Sequence, residues 1–332
     1  MDTTTGLDRK LPALEKAQDN RYMILHLTEV FKQSQGETPF VCQSVKHKIL
    51  KYKPGKTGVI LYQVNDQDGS NQPEEIIGKI YRFDRAQRIN DYLSKIWCTI
   101  GKPIGDTPAF GMAKPLGSSR ELGMAFQEKI DGVALEDVKK KDLSAAMKHT
   151  GRNLAILHES DLDGPEKSIT DHITKYCHPG PDSLLQALPH LQAKVDALRD
   201  GILMIVDLAN HSPVPSHGDL NISQIFIKDE RAFFIDFDGF CLTYAGLDVG
   251  NFMVTLEVRF PDSGQELSDC FLQAYLKQRN CEEIPELKYC RAFAYLRRAM
   301  ICFRKKEKKN WPAEVERLLD CGLACLQNSL SR

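Results

Sequence analysis

The chain has 332 residues, of which 42% are hydrophobic and 27% are charged, and its formal net charge is -1. This composition is that of a globular protein with one large core or two moderate ones. A net charge so close to zero gives no global field that would attract nucleic acid or an anionic membrane, and no apolar run approaches the length of a membrane span. We therefore expect neither nucleic acid nor a membrane as a partner, and the oligomeric state stays open.

The N-terminus has no apolar segment of the kind found in secretory signals, and the ten cysteines include no CxxC pair. Scattered thiols of this kind are typical of small apolar core residues in a reducing compartment, rather than of a disulfide or zinc framework. The sequence therefore favours a cytoplasmic protein.

The first part of the chain is predicted to be rich in β-structure. Residues 1–39 are expected to form an N-terminal extension, a polar leader followed by a helix over 20–33. Alternating apolar residues and the tight turn Pro54-Gly55-Lys56 then indicate paired strands. The predicted elements are strands over 46–53, 58–64 and 76–81, a helix over 85–97 and a strand over 122–130.

After Gly132 the pattern becomes mostly helical. We predict a helix over 143–158, one or two helices within 184–208, and three within 265–330. A β-rich stretch thus precedes a longer α-rich stretch. Within the α-rich stretch, residues 216–238 interrupt the predicted helices.

The most informative segment is a predicted β-hairpin within this helical part. Two apolar runs, 225–227 and 232–235, lie on either side of a polar turn of four residues. The expected register brings Gln224 beside Asp236 at the open end of the hairpin, and Asp219 lies in the loop just before it. A carboxylate, an amide and a second carboxylate then form a site for a hard cation beside a proton acceptor.

The spacing of these residues is similar to that of a protein-kinase catalytic loop. In that loop an Asp accepts the proton of the acceptor hydroxyl, an Asn five residues later holds Mg²⁺, and a later Asp holds the Mg²⁺ that bridges the phosphates. Asp219, Gln224 and Asp236 occupy these three places. We therefore predict Asp219 as the catalytic residue, and Gln224 and Asp236 as ligands of Mg²⁺. A buried Asp236 would be costly without a cation or hydrogen bonds, which favours a metal.

Lys79 is the second candidate of this kind. Lysines at strand ends usually extend their ammonium group into water. Ile76, Ile77 and Ile80 nevertheless indicate a buried strand, where an ammonium group needs anions such as phosphates.

Taken together, these motifs resemble the aminoglycoside phosphotransferase and choline kinase superfamily. The resemblance is carried by His217-Gly218-Asp219, Ile235-Asp236-Phe237-Asp238 and Gly246-Leu247-Asp248, and it spans roughly 46–252. It implies an α+β, protein-kinase-like bilobal fold, with a nucleotide-binding β-rich lobe over 40–128 and a helical lobe over 129–332 that carries the catalytic loop and the acceptor site. The implied activity is ATP- and Mg²⁺-dependent phosphorylation of a hydroxyl group of a small molecule.

The resemblance also implies the residues of the nucleotide site. The turn with Pro54 and Gly55 resembles the turn over the nucleotide phosphates, and Lys79 resembles the strand lysine that contacts the α- and β-phosphates. The stretch that includes Glu128 and Ile130 resembles the hinge that holds adenine through backbone hydrogen bonds.

The chain departs from the family pattern in two places. Gln224 stands where the metal-binding Asn is usual; it has the same amide oxygen on a side chain that is longer by one methylene. Bacterial maltokinases are similar in this respect and also have an acidic segment like Asp236-Phe237-Asp238-Gly239. The helix after Lys79 lacks the usual Glu, so that Asp91 or Gln87 is the candidate partner of Lys79.

Two further functions remain open at this point. A pseudokinase, that is, a nucleotide-binding scaffold with little turnover, would agree with Gln224 and with the missing Glu. A metallohydrolase would place His211, His217, Asp219 and Asp236 around a transition metal, but it leaves the strand of Lys79 unexplained. Sugars, amino alcohols and aminoglycosides all remain possible acceptors.

Overall fold

The computed structural model describes residues 8–35, 42–66, 74–82, 84–102, 110–208, 212–307 and 309–327. The chain forms two compact units, Met1–Asp131 and Gly132–Arg332, called the first and the second unit below. Within the described ranges, no helix combines the length and the apolar character needed to cross a bilayer.

The first unit contains a five-stranded antiparallel sheet with the strand order β1-β2-β3-β5-β4. Its elements are α1 (Asn20–Gln35), β1 (Cys42–Lys53), β2 (Thr57–Asp66), β3 (Glu74–Tyr81), α2 (Arg85–Ile96), β4 (Pro115–Ser119) and β5 (Met124–Glu128). The sequence pattern does not reveal β4, because this short edge strand contains Pro115 and Gly117 and a bulge between them.

The core of the first unit lies between the sheet and the N-terminal segment. On β3, Ile76 and Ile80 point into this core, where Met23 and Leu27 of α1 are also fully buried. Lys79 has the opposite parity in the strand and is only half-buried. The sheet therefore has one apolar face, which α1 covers, and Lys79 belongs to the other face.

The second unit is mainly helical. Its helices are α3 (Leu143–His158), α4 (Ile169–Tyr176), α5 (Pro181–Ala187), α6 (Gln192–Leu203), α7 (Ala245–Arg259), α8 (Gly264–Gln278), α9 (Leu287–Lys305) and α10 (Trp311–Gln327). The three helices predicted within 265–330 are confirmed as α8, α9 and α10. Helix α7 has no amphipathic pattern, because every residue from Ala245 to Leu256 is buried.

Short strands in the second unit hold the loops of interest. They are β6 (Val133–Ala134), β7 (Val214–Ser216), β8 (Ile225–Lys228), β9 (Arg231–Phe234) and β10 (Cys241–Thr243). Strands β6, β8 and β9 form one sheet, and β7 pairs with β10. The predicted hairpin register is confirmed, because Phe226 pairs with Phe233 and Ile227 pairs with Ala232.

Gly218 fixes the loop that follows β7. Its φ is +75°, and a Cβ atom at this position would lie 2.2 Å from the backbone oxygen of Gly239. Only glycine combines this backbone conformation with so close an approach of two chain segments. The loop after β7 and the segment before β10 are therefore packed backbone against backbone.

We expect Gly218→Ala to lower the free energy of unfolding by roughly 2–5 kcal/mol, because the methyl group adds a backbone clash to the strain of a positive φ. Chemical denaturation followed by circular dichroism measures the loss. Gly180→Ala is the matched control, since Gly180 has a φ of +107° but no atom within 4 Å of an added Cβ. Equal losses in the two variants would show that the close approach to Gly239 is unimportant.

Candidate active site

Asp219 lies in the loop after β7 and forms an ion pair with Arg297 of α9. The Nη2 atom of Arg297 donates to Oδ1 of Asp219, and its Nη1 atom donates to Oδ1 of Asn251 at 3.1 Å. The guanidinium group also lies 4.3 Å from the centre of the Tyr176 ring. Among the described residues, nothing bonds to Oδ2 of Asp219. Arg297 thus orients the carboxylate through one oxygen and leaves the other as an acceptor.

The backbone of this loop is held by Asp248, which is buried in the first turn of α7. Oδ2 of Asp248 accepts the N–H of His217 at 2.6 Å, and Oδ1 accepts the N–H of Gly218 at 2.9 Å. The hydroxyl of Tyr176 donates to the carbonyl oxygen of Gly218 at 2.6 Å. Three side-chain contacts therefore fix the two residues that precede Asp219.

A buried chain of hydrogen bonds supports Asp248 from behind. Arg279 donates to the hydroxyl of Tyr275 at 2.9 Å, and this hydroxyl lies 2.7 Å from Nδ1 of His158. Nε2 of His158 then lies 3.4 Å from Oδ2 of Asp248. Because Tyr275 accepts from Arg279, it donates its own proton to His158, which leaves the Nε2 proton of His158 facing Asp248.

The pKa values of this pair follow from burial and hydrogen bonding. Burial acts to raise the pKa of Asp248, but the hydrogen bond from His158, the nearby imidazoles and the N–H of His217 outweigh it and lower this pKa. Burial lowers the pKa of His158 below its ordinary range. A neutral imidazole and an ionised carboxylate are therefore the stable forms near neutral pH.

Gln224 and Asp236 are neighbours at the open end of the β8–β9 hairpin. The N–H of Ile235 donates to the carbonyl oxygen of Gln224 at 3.0 Å, which extends the hairpin by one pair. Nε2 of Gln224 lies 3.5 Å from Oδ2 of Asp236. Asp236 has a φ of +71°, and this left-handed turn ends the strand. Oε1 of Gln224 accepts the N–H of Asn221 at 3.0 Å in a capping box.

These two side chains fit a hard divalent cation in part. A carboxylate and an amide supply the oxygen ligands that Mg²⁺ prefers, and substrate phosphates and waters usually complete its coordination. The nitrogen of Gln224 now faces Asp236, so that coordination through Oε1 requires the amide to turn. The described residues contain no cluster of three His, Cys, Asp or Glu side chains arranged for a metal.

His217 connects the loop of Asp219 with the strand that ends at Asp236. Its Nε2 atom donates to the carbonyl oxygen of Ile235 at 2.9 Å, and its ring lies 4.7 Å from the centre of the Phe237 ring. This histidine is fully buried and binds a backbone carbonyl, as expected for a structural residue. His211 lies outside the described residues.

In the first unit, Lys79 is half-buried and its ammonium group lies 4.9 Å from the centre of the Tyr81 ring. The two candidate partners of Lys79 bond to each other, because Nε2 of Gln87 donates to Oδ1 of Asp91 at 2.8 Å. The hydroxyl of Ser118 donates to Oε1 of Gln87 at 2.9 Å. The amide of Gln87 is therefore fixed between α2 and β4.

The turn at Pro54 and Gly55 carries an acidic side chain from the N-terminal segment. Gly55 has a φ of +65°, and its N–H donates to Oδ2 of Asp8 at 2.7 Å. The hydroxyl of Tyr52 donates to the same oxygen at 2.8 Å. The N–H of Gly55 and then the hydroxyl of Tyr52 are the main causes that lower the pKa of Asp8. A phosphate that used the N–H of Gly55 would have to displace this carboxylate.

Glu128 and Ile130 lie at and just beyond the end of β5. The N–H of Glu128 donates to the carbonyl oxygen of Lys114 at 2.9 Å, and its carboxylate lies 3.9 Å from the ammonium group of Lys114. In the part of the chain that the structure describes, the N–H of Ile130 has no such backbone partner. Ile130 is thus the better placed of the two to offer a backbone donor to a ligand.

The sequence did not indicate the residues that clamp Asp219. Arg297 and Tyr176 lie 78 and 42 residues from their partners, and no motif connects them. Asn251 could have been predicted from the sequence, because it lies on α7 one turn after Asp248.

The comparisons with known proteins agree with this geometry. The family model described as "Phosphotransferase enzyme family" (APH) matches residues 109–289, which is more than half of the chain, and the chain therefore belongs to this family. No curated protein matches the sequence.

Solved structures with the same fold include phosphotransferases and kinases. The crystal structure of aminoglycoside phosphotransferase APH(4)-Ia aligns with a TM-score of 0.61 and 12% identity over 94% of this chain and 98% of that chain. The ethanolamine kinase of Plasmodium vivax aligns with a TM-score of 0.56 and 17% identity, covering 97% and 96% of the two chains. A choline/ethanolamine kinase family protein from Mesorhizobium loti gives 0.58 and 14%, covering 96% of each. The predicted α+β, protein-kinase-like fold is thereby confirmed.

His172 of α4 packs beside the loop of Asp219. Its burial predicts that the stability of the protein depends on pH. Its ring stacks on Tyr176 at 5.8 Å, and burial lowers its pKa to about 4. The unfolded chain therefore binds a proton at higher pH than the folded chain does. The contribution of His172 to stability is full above about pH 6.5 and falls by ~3 kcal/mol as the pH drops from 6.5 to 4.

Urea unfolding at pH 7 and pH 4.5 tests this expectation. We expect His172→Gln to lose less stability between the two pH values than the wild-type protein does. His190→Gln is the control, because His190 is exposed and should leave the pH dependence unchanged. The same slope in His172→Gln and wild type would assign the effect to other groups, such as His158.

Proposed function

We propose that this protein is an ATP- and Mg²⁺-dependent kinase that phosphorylates a hydroxyl group of a small molecule. The observation that carries the proposal is the position of two acidic side chains, Asp219 and Asp236, in segments of the second unit that hydrogen bonds hold in place. Asp219 follows a loop held by Asp248, and His217 connects that loop to the strand end with Asp236 and Gln224. Membership of the phosphotransferase family supports the same conclusion.

Asp219 would orient the acceptor hydroxyl and accept its proton. With Oδ1 held by Arg297, Oδ2 is the atom that would face the hydroxyl. Proton transfer of this kind contributes about 10²–10⁴-fold to rate, and most of the remaining acceleration in phosphoryl transfer comes from positioning and charge stabilisation. The side chains of Asp248 and Tyr176, which hold the loop of Asp219 in place, are in keeping with this need for positioning.

Asp236 and Gln224 would hold the Mg²⁺ ion, which when bound neutralises charge on the nucleotide phosphates. Two of the similar structures support a nucleotide and a divalent ion as ligands. The amicoumacin kinase was solved with AMP-PNP and Ca²⁺, and a thermostable APH(4)-Ia variant was solved with AMP-PNP and hygromycin B.

For the nucleotide, we propose contacts from the first unit. Lys79 would bind phosphate oxygens, Pro54 and Gly55 would cover the phosphates once Asp8 has moved away, and the backbone at Glu128 and Ile130 would hold adenine. The second unit would then carry the acceptor. A small-molecule partner and a cytoplasmic location, without nucleic acid or membrane, complete the proposal.

A metabolite-panel assay for ATP consumption tests the function. The purified protein is incubated with ATP, Mg²⁺ and pooled sugars, amino alcohols and aminoglycosides, and ADP is quantified with and without EDTA. Acceptor-dependent ADP that disappears in EDTA, together with a new phosphate monoester signal in ³¹P NMR, is the expected result.

The second candidate is a pseudokinase with little turnover. Three contacts favour it: Asp8 on the N–H of Gly55, Arg297 on Asp219, and the amide nitrogen of Gln224 towards Asp236. A calorimetric titration with ATP and Mg²⁺ separates the two functions. Nucleotide binding without transfer to any acceptor would favour the scaffold, and the absence of nucleotide binding would contradict both.

A further inference from the structure

Two consecutive arginines of α9 bond to α7 near Asp219. Arg297 forms the ion pair with Asp219 described above. Arg298 donates from Nη2 to the hydroxyl oxygen of Thr255, and its Nε atom is buried without a hydrogen-bond partner. Within the described ranges, no carboxylate forms an ion pair with Arg298.

Arg291, another partly buried arginine of this helix, pairs with a carboxylate, although its Nε atom is also buried without a hydrogen-bond partner. Arg291 donates to Glu257 at 2.8 Å, and the second oxygen of that carboxylate accepts the hydroxyl of Tyr295 at 2.6 Å. A buried guanidinium group without such a partner is costly, because it has lost its hydration and gained no anion. Arg298 therefore differs from Arg291 in having no anionic partner among the described residues, and an anionic ligand would supply one.

Arg298 keeps a positive charge without a carboxylate partner of its own among the described residues. Burial, and then the positive charge of Arg297, lower the pKa of Arg298 to about 10, and the charge of Asp219 opposes this effect only in part. Arg298 still carries its charge at neutral pH. The carboxylate of Asp219 thus pairs with Arg297, whereas the guanidinium group of Arg298 bonds only to a hydroxyl oxygen among the described residues. This unpaired guanidinium group lies near the group that would accept the substrate proton.

We propose that Arg297 and Arg298 form a subsite for an oxyanion, that is, a phosphoryl or carboxylate group, next to Asp219. The arginine fork matches two oxygens of such a group, which a lysine does not. The role of this subsite in catalysis rests on the proposed function. In that function the bound anion is either the terminal phosphate of the nucleotide or an acidic group of the acceptor. An oxyanion bound here would share Arg297 with Asp219, and a polycationic acceptor would be repelled from the same place.

Titration of the full-length protein with inorganic phosphate tests the subsite directly. The titration is followed by isothermal calorimetry at constant ionic strength, without nucleotide or metal. We expect saturable binding that weakens by roughly tenfold or more in Arg298→Met, since a hydrogen bond to a charged group is lost. Arg304→Met is the matched control, because Arg304 is an exposed residue of the same helix. Absence of saturable binding, or equal affinity in all three proteins, would overturn the proposal.

Arg298→Lys is a second variant that tests the subsite if Arg298→Met fails to fold. It keeps the charge but not the fork, and we expect an affinity for phosphate between those of wild type and Arg298→Met. If Arg298→Met is unfolded by circular dichroism, wild-type affinity in Arg298→Lys would contradict a fork that binds two oxygens.

Two further measurements separate the sources of the anion and keep the proposals distinct. Displacement of phosphate by Mg²⁺–AMP-PNP would assign the subsite to the nucleotide. Binding of phosphate and Mg²⁺–AMP-PNP at the same time, together with displacement of phosphate by sugar phosphates, would assign the subsite to the acceptor. Asp219→Asn should bind phosphate at least as tightly as wild type, because Arg297 is then released from its counter-ion. Phosphate binding without any transfer activity would leave the subsite standing while the proposed kinase function fails.

Discussion

Asp219→Asn is expected to slow phosphoryl transfer by about 10²–10⁴-fold while nucleotide affinity stays close to that of the wild type. Asparagine keeps an oxygen that can accept from Nη2 of Arg297, so that the loop retains its contact with α9. It cannot accept the proton of the acceptor hydroxyl, and the neighbouring arginines then lack their negative partner. Turnover with the acceptor found in the panel assay and calorimetric titration with AMP-PNP measure the two effects separately.

Asp229→Asn is the matched control for this variant. Asp229 lies in the exposed turn of the hairpin with a φ of +47°, a conformation that asparagine tolerates well. We expect its turnover to equal that of the wild-type protein. Near-normal turnover of Asp219→Asn would show that another group accepts the proton, and the proposed mechanism would be wrong at its centre.

The part of the site that depends on local sequence was predictable. The apolar runs on either side of the hairpin turn define the pairing of Phe226 with Phe233, and this register alone places Gln224 beside Asp236. Asp248 belongs to a motif that the sequence singles out, and it bonds to the N–H groups of His217 and Gly218. Short-range pairing and a familiar loop pattern carry this information within a few dozen residues.

The rest of the site depends on helix packing, which leaves no local pattern. Helix α7 is buried on all sides and therefore has no polar face from which its position could be predicted. The contact of Arg297 with Asp219 exists only because α9 packs against α7, and the contact of Asp8 with Gly55 spans 47 residues. Contacts of this kind join residues far apart in the sequence and therefore could not be predicted from a local pattern.

The balance between these two sets of contacts bears on the kinase and pseudokinase alternatives. Asp8 occupies the N–H of Gly55 and the Asn221 N–H occupies Oε1 of Gln224, two atoms that a phosphate or a metal would use, whereas Arg297 leaves Oδ2 of Asp219 as an acceptor. The first two contacts are hydrogen bonds at partly buried positions, which a charged ligand of higher valence can outcompete. Nucleotide and Mg²⁺ together would therefore favour release of these two contacts, while Arg297 keeps its ion pair with Asp219.

Asp236→Asn is expected to reduce transfer by about 10³-fold or more, because loss of the anionic ligand removes charge stabilisation of several kcal/mol. Asparagine tolerates the left-handed backbone of Asp236, with its φ of +71°, so that the hairpin should remain folded. We expect the Mg²⁺ concentration needed for half-maximal activity to rise, and AMP-PNP binding to weaken in Mg²⁺ but not in EDTA. Asp262→Asn, at an exposed position, should change none of these values. An unchanged Mg²⁺ dependence in Asp236→Asn would contradict a metal site at the end of β9 and would favour a scaffold that binds nucleotide without it.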